Sequence, residues 1–222
     1  MSIEIEYEKL RSALRYWLYG KGYHKAVKAM EYAAKYHKGL RKDGVTPEFY
    51  HQLCIAGYVR TLHLIYSEET MATAFLHDLI EDYDISASEL ERQFGKEIAF
   101  PVSLLSKRRD GYTIENTPYY LNICNDPIAS VVKGADRIHN FQTMIGVFDI
   151  TKQKEYIEDC KVGLLPMLKK ARRKFPEQEP AYENIKHALL SQIDLIECLH
   201  KYFDTASNPK NDLITAPEKR VP

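Results

Sequence analysis

The apolar residues of this chain recur three and four positions apart, and no segment alternates β-branched with polar residues, so its hydrophobic surface is buried by packing helix on helix. An all-α helical bundle is the expected fold. The spacing predicts a helix over 7–19, ended by Gly20 and Gly22, and one over 23–36 with Ala26, Ala29, Met30 and Ala33 on one face. After the charged turn Arg41-Lys42-Asp43-Gly44, Thr46-Pro47 supplies an N-cap and a first-turn proline for a helix to residue 64. A helix over 68–82 follows. Ser86 and Glu89 have capping-box spacing for one ending at Phe94, and Gly95 opens another through Leu105. Beyond a basic loop at 106–111, helices are expected over 113–124, over 127–147 capped by Asn125-Asp126-Pro127, over 152–174 with a kink or break at Pro166, and over 179–203.

A chain of 222 residues lies below the size, roughly 250 residues or more, at which a single core divides. Residues 1–203 therefore read as one domain, and the polar stretch 204–222 as a mobile tail. The 31 basic residues balance 31 acidic ones, which removes the field that draws a protein to nucleic acid or anionic lipid. No apolar run approaches the roughly 20 residues of a membrane helix. Cys54, Cys124, Cys160 and Cys198 form no Cys-x-x-Cys pair, and the N-terminus has no basic start followed by an apolar run. The expectation is a cytoplasmic protein with reduced thiols and with neither a nucleic-acid nor a membrane partner.

Chemistry is concentrated where polar residues interrupt an apolar run: His77-Asp78 between Phe75-Leu76 and Leu79-Ile80, then Glu81-Asp82. On a continuous helix His77 would lie above Glu81 and Asp78 above Asp82. His51 and the distant Asp136 and Asn140 complete the set. Ionised carboxylates in low dielectric cost several kcal/mol each unless paired or metal-bound, so burying them beside two histidines points to a cation. Mixed imidazole and carboxylate ligation suits Mn, Fe, Co or Zn better than Mg or Ca, and one Mn²⁺ per chain is the expectation. Such an ion lowers the pKa of water and neutralises phosphate oxygens, the equipment of phosphoester or pyrophosphate hydrolysis.

Four ordered blocks carry a resemblance. They are His37-Lys38-Gly39-Leu40-Arg41-Lys42-Asp43-Gly44 with His51; Phe75-Leu76-His77-Asp78-Leu79-Ile80-Glu81-Asp82; Phe94-Gly95; and Val132-Lys133-Gly134-Ala135-Asp136-Arg137-Ile138-His139-Asn140-Phe141-Gln142-Thr143. Over roughly residues 23–148 the chain resembles the His-Asp, or HD-domain, metal-dependent phosphohydrolases. Among them it resembles the hydrolase domain of the RelA/SpoT alarmone enzymes of the stringent response, in the small hydrolase-only form of the metazoan SpoT homologue type. The resemblance implies His51, His77, Asp78 and Asp136 as metal ligands, Glu81 and Asp82 as the acids that orient and activate water, and Asn140, Arg41 and Lys42 as contacts to a nucleotide. It also implies removal of the 3′-pyrophosphate of guanosine tetra- or pentaphosphate (ppGpp, pppGpp), giving GDP or GTP and pyrophosphate. The roughly 70 residues after the Asn140 helix are too few for the family's synthetase domain.

The departures bear on substrate. The family's glutamine before the basic turn is missing, the stretch before His51 is one residue long, Tyr83 replaces a threonine, Gly134 a bulky residue and Gln142 a frequent arginine. Other substrates stay open: an adenosine alarmone, a 5′-nucleotide or NADPH. So does a non-catalytic nucleotide sensor or antitoxin-like partner, as do a homodimer and a toxin partner. Blander readings stand beside these. Asp136 could pair with Lys133 or Arg137 as a surface salt bridge, His139 reads as a supporting residue, and His24, His37, His63, His187 and His200 read as core histidines. Lys107-Arg108-Arg109 is a solvated face or a phosphate-holding loop, with Lys107 the better candidate for substrate.

Overall fold

The computed structural model describes residues 2–61, 67–83, 85–109 and 112–207. Helix α1 (Ile3–Lys21) closes on Gly22, whose φ of +73° is the left-handed conformation a glycine cap adopts. Helix α2 (His24–Ala33) leads into the charged turn. There Asp43 Oδ1 accepts from the amides of Val45 and Thr46, each at 2.9 Å, while Thr46 Oγ1 donates to Asp43 Oδ2 at 2.6 Å. Thr46 is thereby committed to the turn and cannot cap a helix. Helix α3 (Tyr50–Thr61) accordingly starts three residues after Pro47 rather than at Thr46-Pro47. The expected end at residue 64, and His63, lie outside the described residues.

The single helix expected over 68–82 is two. Helix α4 (Glu68–Leu76), capped by Ser67 Oγ on the Thr70 amide at 3.0 Å, stops at His77, and α5 (Leu79–Asp82) resumes after Asp78 at φ −94°, ψ −7°. His77 Nδ1 sits 3.0 Å from the Ala74 carbonyl, an acceptor the helical ladder would otherwise use for itself. Helix α6 (Ala87–Phe94) has the expected Ser86 cap on the Glu89 amide at 3.1 Å. The return half of the box is replaced, because Glu89 Oε1 accepts from the Tyr32 hydroxyl at 2.7 Å and ties α6 to α2. Helix α7 (Lys96–Leu105) follows Gly95. The basic loop carries a short antiparallel ribbon, β1 (Arg108–Arg109) against β2 (Tyr112–Thr113), with Arg108 opposite Thr113.

Helix α8 (Asn116–Ile123) precedes α9 (Pro127–Thr143), which Asp126 caps through the amides of Ile128 and Ala129. Helix α9 ends four residues before the expected 147, where the chain turns through Gly146 at φ +77°. Pro166 was expected to kink or break a helix over 152–174. The structure places a π turn (Cys160–Leu164) between α10 (Ile150–Asp159) and α11 (Leu165–Lys174), a widening that precedes the proline and accommodates its ring and missing N–H. A 3₁₀ turn (Pro176–Gln178) leads to α12 (Glu179–Ser207). That helix passes the boundary at Asp204 where a tail was expected, and residues 208–222 lie outside those described.

Helix α4 packs on α2 and α3, α3 also packs on α9, and α12 covers the other side of α9. Leu53, Phe75, Val131, Ile138 and Ile185 are completely or almost completely buried in the shared core. Gly134 on α9 is required by that packing, since a Cβ there would come within 2.7 Å of the Ile185 side chain. Arg137 locks α10 to α9: Nη2 meets Asp159 Oδ2 at 2.5 Å, and Nη1 donates to the Tyr156 carbonyl at 3.1 Å.

Candidate functional site

Three helix segments converge on one point. His51 lies in the first turn of α3, His77 and Asp78 form the break between α4 and α5, and Asp136 is in the middle of α9. His51 Nε2 is 3.3 Å from Asp136 Oδ1 and 3.7 Å from Asp78 Oδ2, while His77 Nε2 is 3.0 Å from Asp78 Oδ1. Ligand atoms of His51, His77 and Asp78 all fall within 4.8 Å of one another. His77 is only 3 % exposed. Its Nδ1 faces the Ala74 carbonyl, and its Nε2 is buried without a hydrogen bond of proper alignment, turned toward this cluster. A buried imidazole nitrogen left in that state, beside a second imidazole and two carboxylates, fits a divalent cation of the borderline class.

The electrostatics match. Burial works against charge on His77, but Asp78 beside it outweighs burial and pushes His77 up to about 9. Burial would raise Asp78, yet His77 and His51 hold it down at about 2. Asp136 is also held well below the usual carboxylate range against burial, chiefly by Lys133, whose Nζ donates to Oδ2 at 2.8 Å. Burial keeps His51 below its ordinary value. Gln52 Nε2 donates to Asp78 Oδ2 at 3.2 Å, and Asn140 Nδ2 to Asp136 Oδ1 at 2.6 Å.

The break between α4 and α5 sends the acidic pair to different places, so the four-residue stacking expected of a continuous helix gives way to two environments. Glu81 Oε2 accepts from the main-chain amide of Lys107 at 2.8 Å. Asp82 opens into a cavity of about 380 Å³, where burial, Asp78 and Glu81 raise it to about 6. Arg41, Lys42 and Asn140 line the same cavity with Phe148 and Tyr156. Arg41 Nη2 donates to Thr143 Oγ1 at 3.1 Å, and Lys42 Nζ lies 4.8 Å from the Phe148 ring centre. Lys107 is not among the residues lining it. Its Nζ donates to Asn116 Oδ1 at 2.8 Å and lies 5.1 Å from the Tyr119 ring centre.

Two residues that matter here were missed as site residues in the sequence. Lys133 does pair with Asp136, but as a largely buried pair in the site and not as a surface bridge, while Arg137 goes to Asp159. The i, i+3 spacing of Lys133 and Asp136 was the available signal; Gln52, next to His51, offered none. The other histidines divide: His37 and His200 are buried, with Tyr83 Oη and Gln153 Oε1 as partners, whereas His24 and His187 are exposed and not in the core as expected. Two departures from the family pattern have packing reasons, Gly134 for Ile185 and Gln142 for a hydrogen bond to Tyr58. Tyr83 meets His37 at 3.2 Å.

The HD domain profile matches residues 29–161, and the chain belongs to the HD-domain family. Among similar curated proteins, a GTP pyrophosphokinase rsh of Brucella melitensis is 34 % identical over 140 residues, covering 60 % of this chain and 18 % of its own length. A probable guanosine-3′,5′-bis(diphosphate) 3′-pyrophosphohydrolase of Synechocystis is 32 % identical over 148 residues, 63 % of this chain and 19 % of its own. The chain thus spans less than a fifth of these curated relatives. A solved structure of a metazoan ortholog of SpoT, described as hydrolysing ppGpp, superposes with a TM-score of 0.61 at 18 % identity, covering 76 % of this chain and 96 % of that one. Among the described residues, no helix is long and apolar enough to cross a membrane.

Proposed function

We propose that this chain is a metal-dependent hydrolase that removes the 3′-pyrophosphate of guanosine tetra- or pentaphosphate, releasing GDP or GTP and pyrophosphate. The observation that carries the reading is the cavity of about 380 Å³ whose cations, Arg41 and Lys42, face Asp82 and Asn140. Asn140 is hydrogen-bonded to Asp136 of the His/Asp cluster, so cavity and cluster are contiguous. The names of the Synechocystis and metazoan relatives agree with that substrate class.

His51, His77, Asp78 and Asp136 would hold one Mn²⁺. When bound, it supplies Lewis acidity toward phosphate oxygens and makes water a stronger acid. The remaining work belongs to the chain. Asp82, raised to about 6, is poised to take a proton from the attacking water near neutral pH. Glu81 is held by the Lys107 amide, which fixes its direction. Arg41 and Lys42 neutralise phosphate charge, and Asn140 orients the nucleotide beside Asp136. The phosphate-rich substrate sits between fixed cations and the acid, which aligns the reacting phosphorus. Lys107 contributes through its main chain to Glu81. The four unpaired cysteines support a reducing compartment such as the cytoplasm.

The test strips the protein with chelator, restores Mn²⁺ and follows guanosine tetraphosphate, its adenosine counterpart and ordinary nucleotides by chromatography. Mn²⁺-dependent conversion of guanosine tetraphosphate to GDP and intact pyrophosphate is the expected result. Consumption of another nucleotide alone would replace the substrate and keep the site. Tight nucleotide binding with no turnover under any metal would make the chain a sensor. His77→Ala and Asp78→Ala should lose metal retention and turnover together, and full activity in a metal-free variant would refute the ligand set.

A further inference from the structure

His139 lies on α9 outside the cavity, yet its Nδ1 stands 2.7 Å from His51 Nδ1. Two imidazole nitrogens at that distance share one proton: two N–H groups would collide, and two lone pairs would repel. The His139 ring is enclosed by its neighbours. It is 2 % exposed, with the Tyr50 and Tyr58 rings of α3 at 6.5 and 6.2 Å.

On its other side, His51 presents Nε2 to Asp136 and Asp78. A ligand nitrogen must offer a lone pair, so a neutral His51 that ligates through Nε2 carries its proton on Nδ1. His139 Nδ1 is the acceptor that faces it. We infer that His139 is a positioning residue for the metal centre: its Nδ1 accepts the His51 Nδ1 proton, fixing the tautomer and the rotation that turn His51 Nε2 toward His77 and Asp78. The inference rests on the metal-dependent reading above. It also gives the two histidine ligands different anchors, since His77 Nδ1 is held by the Ala74 carbonyl, which no side-chain substitution removes, and His51 by a side chain that one substitution can.

Two measurements test it. In the unmodified protein loaded with Zn²⁺, long-range ¹H–¹⁵N spectra should show His51 protonated at Nδ1 and His139 protonated at Nε2 only. A proton on His51 Nε2 or on His139 Nδ1 overturns the inference without any variant. The second measurement titrates Mn²⁺ into the unmodified protein, His139→Asn and His139→Leu. The Asn amide places an acceptor near the lost Nδ1, whereas Leu, of similar size, places none. Leu should weaken Mn²⁺ binding by roughly 10- to 100-fold, the usual effect of losing a partner of a ligating histidine, with Asn restoring most of the affinity. Equal loss in both variants, or loss in neither, overturns the positioning role while the metal reading stands. Absence of Mn²⁺ binding by the unmodified protein overturns the metal reading itself, and this inference with it.

Discussion

Loading the site with metal at neutral pH should expel one proton, and that proton belongs to His77. In the metal-free protein His77 is raised to about 9, chiefly by Asp78 against the opposing effect of burial, so it is charged at pH 7. A ligand nitrogen cannot keep that proton. Asp78, at about 2, and Asp136, well below its ordinary value, are already ionised, and His51 is pushed toward its neutral form. From pH 9 to pH 7 is two units, so the proton competes with the ion by roughly a hundredfold, about 2.7 kcal/mol at 1.36 kcal/mol per unit. Apparent Mn²⁺ affinity should therefore climb about tenfold per unit between roughly pH 6 and 8. Calorimetry in two buffers of different ionisation heat should count close to one proton released per ion. A flat affinity and a zero proton count across that range would refute the reasoning. The sign for the metal-free fold is opposite. A histidine raised above its ordinary 6.5 contributes stability that is fully present below that value and lost as pH rises through about 9. Metal-free protein should therefore melt at lower temperature at pH 9 than at pH 6.5.

Three further outcomes follow from particular contacts. Arg137→Met removes the cation from Asp159, whose side chain is only 16 % exposed, and leaves its carboxylate with the neutral donors Asn116 and Tyr120, so it should cost about 1.5–3 kcal/mol in urea unfolding; a loss under about 0.5 kcal/mol would show the pair to be dispensable. Gly163→Ala drives a methyl into the Tyr120 ring, and overpacking of about 1–3 kcal/mol outweighs the roughly 1 kcal/mol that Ala gains over Gly in a helix, so the melting temperature should fall rather than rise. Arg41→Ala and Lys42→Ala should each raise KM for the nucleotide by about ten- to a hundredfold, from loss of a charge-assisted hydrogen bond of about 1.5–3 kcal/mol, while calorimetric Mn²⁺ affinity stays constant.

The helices were legible because their caps are local. Ser86 and Asp126 act on amides within a few residues, and those starts fall where the sequence puts them, whereas the first helix begins at Ile3 and runs through Gly20 to close on Gly22. Two misplaced boundaries share a different cause, a side chain spent on a local bond that competes with the helix. Thr46 is spent on Asp43, and His77 faces the Ala74 carbonyl, so one helix starts late and another breaks. Of the candidate site, His51, His77, Asp78 and Asp136 converge as their residue types suggest, and Arg41, Lys42, Asp82 and Asn140 share a cavity. Lys107 was legible only as a charge near the matched blocks. That its amide would serve Glu81 while its ammonium turned to Asn116 depends on how the ribbon at 108–113 docks, which no spacing encodes. Lys133 was hidden for a similar reason: a lysine one turn from an aspartate looks like a surface pair until α8 brings the Tyr119 ring to 5.7 Å from its ammonium.

The proposed ligands come from helices far apart along the chain, with 85 residues from His51 to Asp136. An ion held there is a reversible cross-link across a long loop, and it has no comparable site in the unfolded chain. By mass action it would favour the folded state by about 2.7 kcal/mol at a free concentration a hundredfold above its dissociation constant. Helices α3, α4 and α9 must already be docked before the ion finds its ligands, so it would enter late in folding and slow the route back out. Metal supply would then set how long the protein lasts as well as how fast it works.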